Sequence, residues 1–233
     1  MSILDKPVEP IIGTLNEHTL HLALKQYCEP DPSFHEVLCH GFVADILKDG
    51  AITEIETRSF ANIKRKLPQF LKDHTVTVVY PIAVTKWVIW IDPKTGELSP
   101  KHRSPKKGRA SDVVYELYRL LPFLTHPNFR LTLILCDMDE YKRRDGWSRD
   151  GKRGATREER VPIAFRGTVT FSSPQEYARL VDVLPEGKFT AAEFARLNRL
   201  RGRYPWYALR ILMAVGLLEQ CGKRGNAYLY RRL

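Results

Sequence analysis

The residues best suited to chemistry lie in Gly41 to Lys66, GFVADILKDGAITEIETRSFANIKRK. An apolar run ends in Asp45, a Lys48-Asp49-Gly50 turn follows, and a second β-rich run carries Glu54 and Glu56. Side chains alternate along a strand, so Glu54 and Glu56 share a face. In an antiparallel hairpin closed at Asp49-Gly50, Asp45 falls near the register of Glu54 and can face the same side. Carboxylates gathered in this way form an all-oxygen site for Mg²⁺ or Mn²⁺. Such a site suits metal-assisted attack on a phosphodiester. The same alternation also describes a half-exposed hairpin with an acidic wet face, and spacing alone leaves both readings open.

A phosphodiester resists water because its charge repels the nucleophile and its leaving alkoxide is poor. Hydrolysis therefore calls for a divalent ion, a base and nearby positive charge. Asp45 and Glu54 are the natural ligands, and Glu56 is a further ligand or the base. A further carboxylate could come from Glu17 on the preceding helix or from Glu36 on the preceding strand. Arg58 lies just past the hairpin, and Lys64, Arg65 and Lys66 follow in the next helix. Lys66, beside the metal strand, is the candidate to stabilise the transition-state charge. A solvated basic face accounts equally well for Lys64 and Arg65. His18 and His21 are expected to be structural.

These residues need a scaffold. Asn16 to Tyr27 reads as an amphipathic helix with Leu20, Leu24 and Tyr27 on one stripe. Strands are expected over Glu36–Leu38, Phe42–Leu47 and Ala51–Thr57, then a helix from Phe60 to Lys72, capped by Ser59 and kinked at Pro68. Two strands, Thr75–Pro81 and Lys86–Asp92, precede a basic loop and a helix over Ser111–Leu121. Arg130–Met138 is the last strong strand. The order describes an α/β domain, a mixed sheet flanked by helices. The polar stretch from Asp139 to Pro162, with its lone Trp147, reads as a loop or an extended hairpin.

The C-terminal segment has a different pattern. Ser173 and Thr190 cap helices, the second with Glu193 placed for a capping box. Pro205 opens a third, PWYALRILMAV, in which Trp206, Leu209, Leu212 and Met213 are spaced to face inward. Leu217 to Arg231 then reads as a hairpin turning at Lys223-Arg224-Gly225-Asn226. Three short helices and a two-stranded wing describe a winged helix-turn-helix over residues 173–233. Arg199, Arg201 and Arg203, with Tyr204 and Trp206, gather at the start of the third helix, where such modules meet DNA. Lys223 and Arg224 stand at the wing tip. Docking to a protein is the other established use of this module.

The charge balance agrees. The chain of 233 residues carries a net charge of +10, which favours a polyanion such as nucleic acid as partner. No apolar run reaches the length of a membrane span, and the N-terminus MSILDKPVEP lacks a signal-peptide pattern. The expected setting is the cytoplasm. Four scattered cysteines, Cys28, Cys39, Cys136 and Cys221, are expected as buried thiols. Cys28, His35, Cys39 and His40 match no standard zinc-knuckle spacing, so zinc is not expected there.

The order of a helix with Glu17, a strand with Asp45, a turn, a strand with Glu54-Ile55-Glu56, then helix and strand resembles the PD-(D/E)XK nuclease superfamily. The resemblance implies a restriction-endonuclease-like domain over residues 14–165, followed by a small winged-helix domain. It implies Mg²⁺ or Mn²⁺ as cofactor, with Glu17, Asp45 and Glu54 as ligands. It implies an endonuclease acting on DNA and leaving a 5′-phosphate. Glu56 stands where the superfamily usually has lysine. Some members tolerate glutamate there, others relocate the lysine to the following helix (Lys64 or Lys66 here), and others have lost catalysis. More narrowly, LNEHTLHLALK, DILKDGAITEIET, IKRKL, VVYPIAVTKWVIWID and GLLEQCGKRGNAYLY are similar to an uncharacterised bacterial group that pairs this core with a winged helix. The alternative is a non-catalytic DNA-binding regulator or accessory subunit of a mobile-element or defence complex, and RNA processing is a third use of the same fold. Homodimerisation and a protein partner in a larger complex are further expectations.

Overall fold

The computed structural model describes residues 18–143, 145 and 154–233. Helix α1 (His18–Cys28) is followed by strands β1 (His35–Cys39), β2 (Phe42–Lys48) and β3 (Ala51–Ile55), helix α2 (Ile63–Phe70) and strand β4 (Thr75–Ile91). The short strand β5 (His102–Arg103), helix α3 (Val114–Leu117), and strands β6 (Phe129–Arg143) and β7 (Thr156–Phe171) come next. The sheet runs β1-β2-β3-β4-β6-β7, with β5 pairing β4. It is a mixed α/β fold: β2 and β3 are antiparallel, whereas β3 and β4 are parallel and joined through α2. A parallel pair cannot be closed by a tight turn, so α2 is the crossover that the sheet requires.

By contacts the chain divides into two compact units. Among the described residues, one comprises those within 18–35, 81–109 and 134–169, and the other Glu36–Tyr80, Ala110–Leu133 and Thr170–Leu233. In the first, Leu20 and Leu24 of α1 are buried, as are Ile82, Val88, Ile89, Ile134 and Met138. Tyr27 is partly exposed and packs on Phe165 with ring centroids 4.1 Å apart. Gly108 has a steric reason for its identity. Its N–H donates to the Ala83 carbonyl at 2.8 Å, and a Cβ at this position would lie 2.4 Å from that oxygen.

In the second unit Ile52, Val76, Val78, Leu131 and Leu133 form the buried sheet face, and Ile63, Leu67 and Phe70 are the buried stripe of α2. The same unit holds the C-terminal elements. These are β8 (Phe189–Thr190), α4 (Ala191–Leu197), α5 (Tyr204–Ala214), β9 (Leu218–Arg224) and β10 (Ala227–Arg232), with β8, β10 and β9 forming a three-stranded sheet. The Thr190/Glu193 capping box forms as expected. Tyr207 of α5 meets Tyr115 of α3 edge to face at 5.2 Å, so this segment shares packing with the sheet-bearing part of its unit.

Several boundaries differ from those expected. Thr75–Pro81 and Lys86–Asp92 belong to one strand, β4, because Pro81 constrains φ to a value an extended chain accepts and costs only one donor. α2 is shorter than predicted. Its N-cap is Asn62, while the Ser59 hydroxyl accepts from Ala61 N–H instead. The Ser111–Leu121 segment splits into a 3₁₀ turn (Ala110–Val113), α3 and a second 3₁₀ stretch (Tyr118–Phe123). The Ser173-capped segment is likewise 3₁₀, Pro174–Leu180. β6 and β7 extend well into the polar stretch, while Trp147 lies outside the described residues. Trp206 is 48% exposed, because Pro205, Ala208, Leu209 and Leu212 occupy the buried stripe and Trp206 is rotated off it. Among the described residues, no helix is long and apolar enough to cross a membrane.

Candidate functional site

The β2–β3 hairpin closes as its sequence requires. Asp49 and Gly50 both take positive φ, 49° and 74°, the backbone of a type I′ turn. The ladder pairs Lys48 with Ala51, Leu47 with Ile52 and Ile46 with Thr53. One step further, side chains replace main-chain partners. The Asp45 Oδ2 accepts from Ile55 N–H at 2.7 Å, and Glu54 Oε1 accepts from Asp45 N–H at 3.2 Å. The Glu54 carboxylate thus holds the Asp45 backbone, and the Asp45 carboxylate holds that of Ile55, the residue after Glu54.

α2 supplies the counter-charge. With Ile63, Leu67 and Phe70 turned inward, Lys66 flanks the buried stripe and reaches back to the hairpin. Its Nζ donates to Glu54 Oε2 at 2.9 Å and to the Val43 carbonyl at 2.8 Å. Glu54 is only 2% exposed, so this ion pair is well shielded. Glu56 lies just beyond β3, half-buried, its N–H donating to the Val79 carbonyl at 2.9 Å.

A fourth carboxylate joins the group. Glu116 of α3 is buried, and its Oε2 accepts from Phe60 N–H and from Arg119 Nε, both at 3.0 Å. Its charge adds to the repulsion on Glu56. Lys66 pairs with Glu54 in this group and Arg119 with Glu116. Burial, with Asp45 beside it, raises the Glu54 carboxyl to about 7 despite Lys66. Burial together with Glu54 and Asp45 raises Glu56 to about 8. The donor set is all oxygen, which fits a hard divalent cation. The residues present to hold one are Asp45, Glu54 and Glu56.

Other candidates stand differently. Glu17 lies outside the described residues. Glu36 is exposed, with φ at 56°. Arg58, Lys64, Arg199, Arg201 and Arg203 are exposed, the last as the N-cap of α5. Lys223 lies over the Tyr228 ring at 4.9 Å, and Arg224 pairs with Glu193 at 2.8 Å. Sequence reasoning missed Glu116; the available signal was its (i, i+3) pairing with Arg119 on a predicted helix.

A second cluster was not anticipated as such. Among the described residues, the one set of three ligand atoms from His, Cys, Asp or Glu lying within 4.8 Å of one another is that of Cys39, His40 and His74. Cys28 and His35 are not in it. Burial raises the Cys28 thiol to about 11, and His35 Nε2 bonds the Glu29 carbonyl at 2.8 Å.

An uncharacterized protein of Treponema pallidum (strain Nichols) is 29% identical to this chain over 229 residues, which are 95% of this chain and 87% of the relative. No solved structure matches the chain. The family described as "Domain of unknown function (DUF8091)" matches residues 18–172, which include the hairpin, α2 and α3, and the chain belongs to that family.

Proposed function

We propose that this protein is a metal-dependent DNA endonuclease of the PD-(D/E)XK type, guided by a C-terminal winged helix. The observation that carries the reading is Lys66 on Glu54, beside Asp45. The amine that Glu56 denies to the β3 strand is delivered to the same carboxylate from the following helix. The element order α1-β1-β2-β3-α2-β4, with an antiparallel hairpin and a parallel crossover, supports the same reading.

Mg²⁺ or Mn²⁺ held by Asp45 and Glu54, with Glu56 in reach, would supply a polarised phosphate and a more acidic water. The residues of the chain do the rest. Asp45 and Glu54 are pre-oriented by their hydrogen bonds to the Ile55 and Asp45 amides, so little reorganisation is needed. Lys66 places positive charge where the pentavalent phosphorane develops its negative charge. Glu56, which takes up a proton near neutral pH, is the base for the attacking water. The exposed arginines ahead of α5, with Lys223 on the hairpin, hold the DNA backbone.

The test is a titration with Mn²⁺ and Mg²⁺ against supercoiled, linear, branched and single-stranded DNA, with Asp45→Asn and Glu54→Gln in parallel. Metal-dependent cutting by the wild type that both variants lose is the expected result. Because Glu56 occupies the usual lysine position, a second reading is a non-catalytic DNA-binding regulator or accessory subunit. Salt-sensitive binding without cutting, equal in wild type and variants, would select it.

A further inference from the structure

Cys39 ends β1, His40 begins the turn into β2, and His74 immediately precedes β4. Their ligand atoms meet within 4.8 Å. The contacts around them divide the nitrogens cleanly. His74 Nδ1 lies 2.9 Å from the Gly50 carbonyl, an acceptor only, so Nδ1 carries the proton and Nε2 the lone pair. That Nε2 lies 3.4 Å from Cys39 Sγ. His40 Nε2 lies 3.0 Å from Asp73 Oδ2, which leaves Nδ1 as its ligating nitrogen.

We propose that Cys39, His40 and His74 form a site for a borderline-soft divalent transition metal, Zn²⁺ being the natural occupant, separate from the carboxylate site. A tetrahedral Zn²⁺ with bonds of about 2.0–2.3 Å sets neighbouring nitrogen and sulfur ligands roughly 3.5 Å apart. The Cys39–His74 separation already has that value. Each histidine also has the outer partner that metal-bound imidazoles use: a backbone carbonyl for His74 and a carboxylate for His40. Three protein ligands leave the fourth position to water. Sulfur and imidazole select this class of metal over Mg²⁺ or Mn²⁺. The consequence is structural. The ion ties the His40-Gly41 turn to the α2–β4 connection, and so braces the two elements that carry Asp45 and Lys66.

Co²⁺ added to the metal-free full-length protein reads this site directly, because only thiolate ligation gives a sulfur-to-cobalt charge-transfer band. The expected result is one equivalent of Co²⁺ with that band, displaced by Zn²⁺. Cys39→Ser should abolish the band, and Cys221→Ser, a half-buried thiol on β9, should leave it intact. Asp73→Asn should weaken binding about 10- to 100-fold, the range for a lost outer partner, and His74→Ala, which removes a ligand, by more than that. Zn²⁺ should raise the wild-type Tm and leave that of Cys39→Ser unchanged. Absence of the band in the wild type, or its persistence in Cys39→Ser, overturns the proposal. Both readouts are independent of DNA cleavage, so either site can fail without the other.

Discussion

Glu54 and Glu140 are the same residue type, 2% and 1% exposed, and their surroundings push them in opposite directions. Glu140, on β6, meets Lys86 at 2.5 Å, Arg157 at 2.6 Å and Lys142 at 3.8 Å. Burial raises its carboxyl, but these cations outweigh burial and hold it below the ordinary range. At Glu54 burial and the neighbouring Asp45 outweigh Lys66, and its carboxyl rises to about 7. Cations outweigh burial at Glu140, whereas burial and Asp45 outweigh the cation at Glu54. The Glu140 ion cluster ties β6 to β4 and β7, whereas the Glu54 group is the one proposed to take a metal ion.

Substitution at the two sites should separate them most sharply. Asp45→Asn is expected to lower metal-dependent cleavage by about 10³-fold or more while leaving DNA binding intact. Glu140→Gln should cost roughly 3 kcal/mol of stability, because it leaves Lys86, Arg157 and Lys142 around a neutral amide, and the folded fraction should cut normally. Urea unfolding alongside the cleavage assay checks both, and equal catalytic loss in the two variants would break the comparison.

Lys66→Ala is the next largest effect, about 10²-fold in kcat with little change in the salt dependence of binding. A wild-type rate in this variant would mean that Lys66 serves only to hold Glu54 and Val43 together.

The pH dependence sharpens the comparison further. Glu54 and Glu56 titrate at about 7 and about 8 in the folded chain, against an ordinary value of 4.5. Between those limits the folded state binds more protons than the unfolded state, so these groups lower stability as pH rises from about 5 to 8. The metal-free protein should therefore lose on the order of a few kcal/mol across that window, and Glu56→Gln should flatten the loss. Glu140 works the other way: its depressed pKa gives stability above the unfolded value that is lost on acidification. Thermal melts in chelator from pH 5 to 9 read both trends.

The smallest effect concerns the basic rim. Removing Arg201, Arg203 and Lys223 together should reduce the salt slope of DNA binding by about 2.7, at roughly 0.9 each. Arg224 should contribute less, since Glu193 already partners it at 2.8 Å. An unchanged slope would assign this surface to a protein partner.

The hairpin was legible in the sequence because two local signals agree there. The Asp49-Gly50 turn fixes the register, and period-two alternation places Glu54 on the side of Asp45. The Thr190/Glu193 box and the Gly225-Asn226 turn were readable for the same local reason. Glu116 was not, because its role comes from a hydrogen bond to Phe60, far away in sequence, and from a helix broken into α and 3₁₀ pieces. His74 was invisible as a ligand, since no spacing rule links it to Cys39-His40. Only the crossover through α2 brings it there. Pro81 misled in the opposite direction, its local signal of a break overridden by the long β4 strand. Two-residue β8 offers no pattern to read.

The most direct test of the proposed metal site at Asp45 and Glu54 is Mn²⁺ binding, counted by electron paramagnetic resonance on the metal-free full-length protein at pH 7.5. Mn²⁺ prefers oxygen donors, so it reports the carboxylate site rather than Cys39 and the histidines. The account predicts binding by the wild type and by Cys39→Ser, and its loss in Asp45→Asn. Undiminished binding in Asp45→Asn, or none in the wild type, would contradict it.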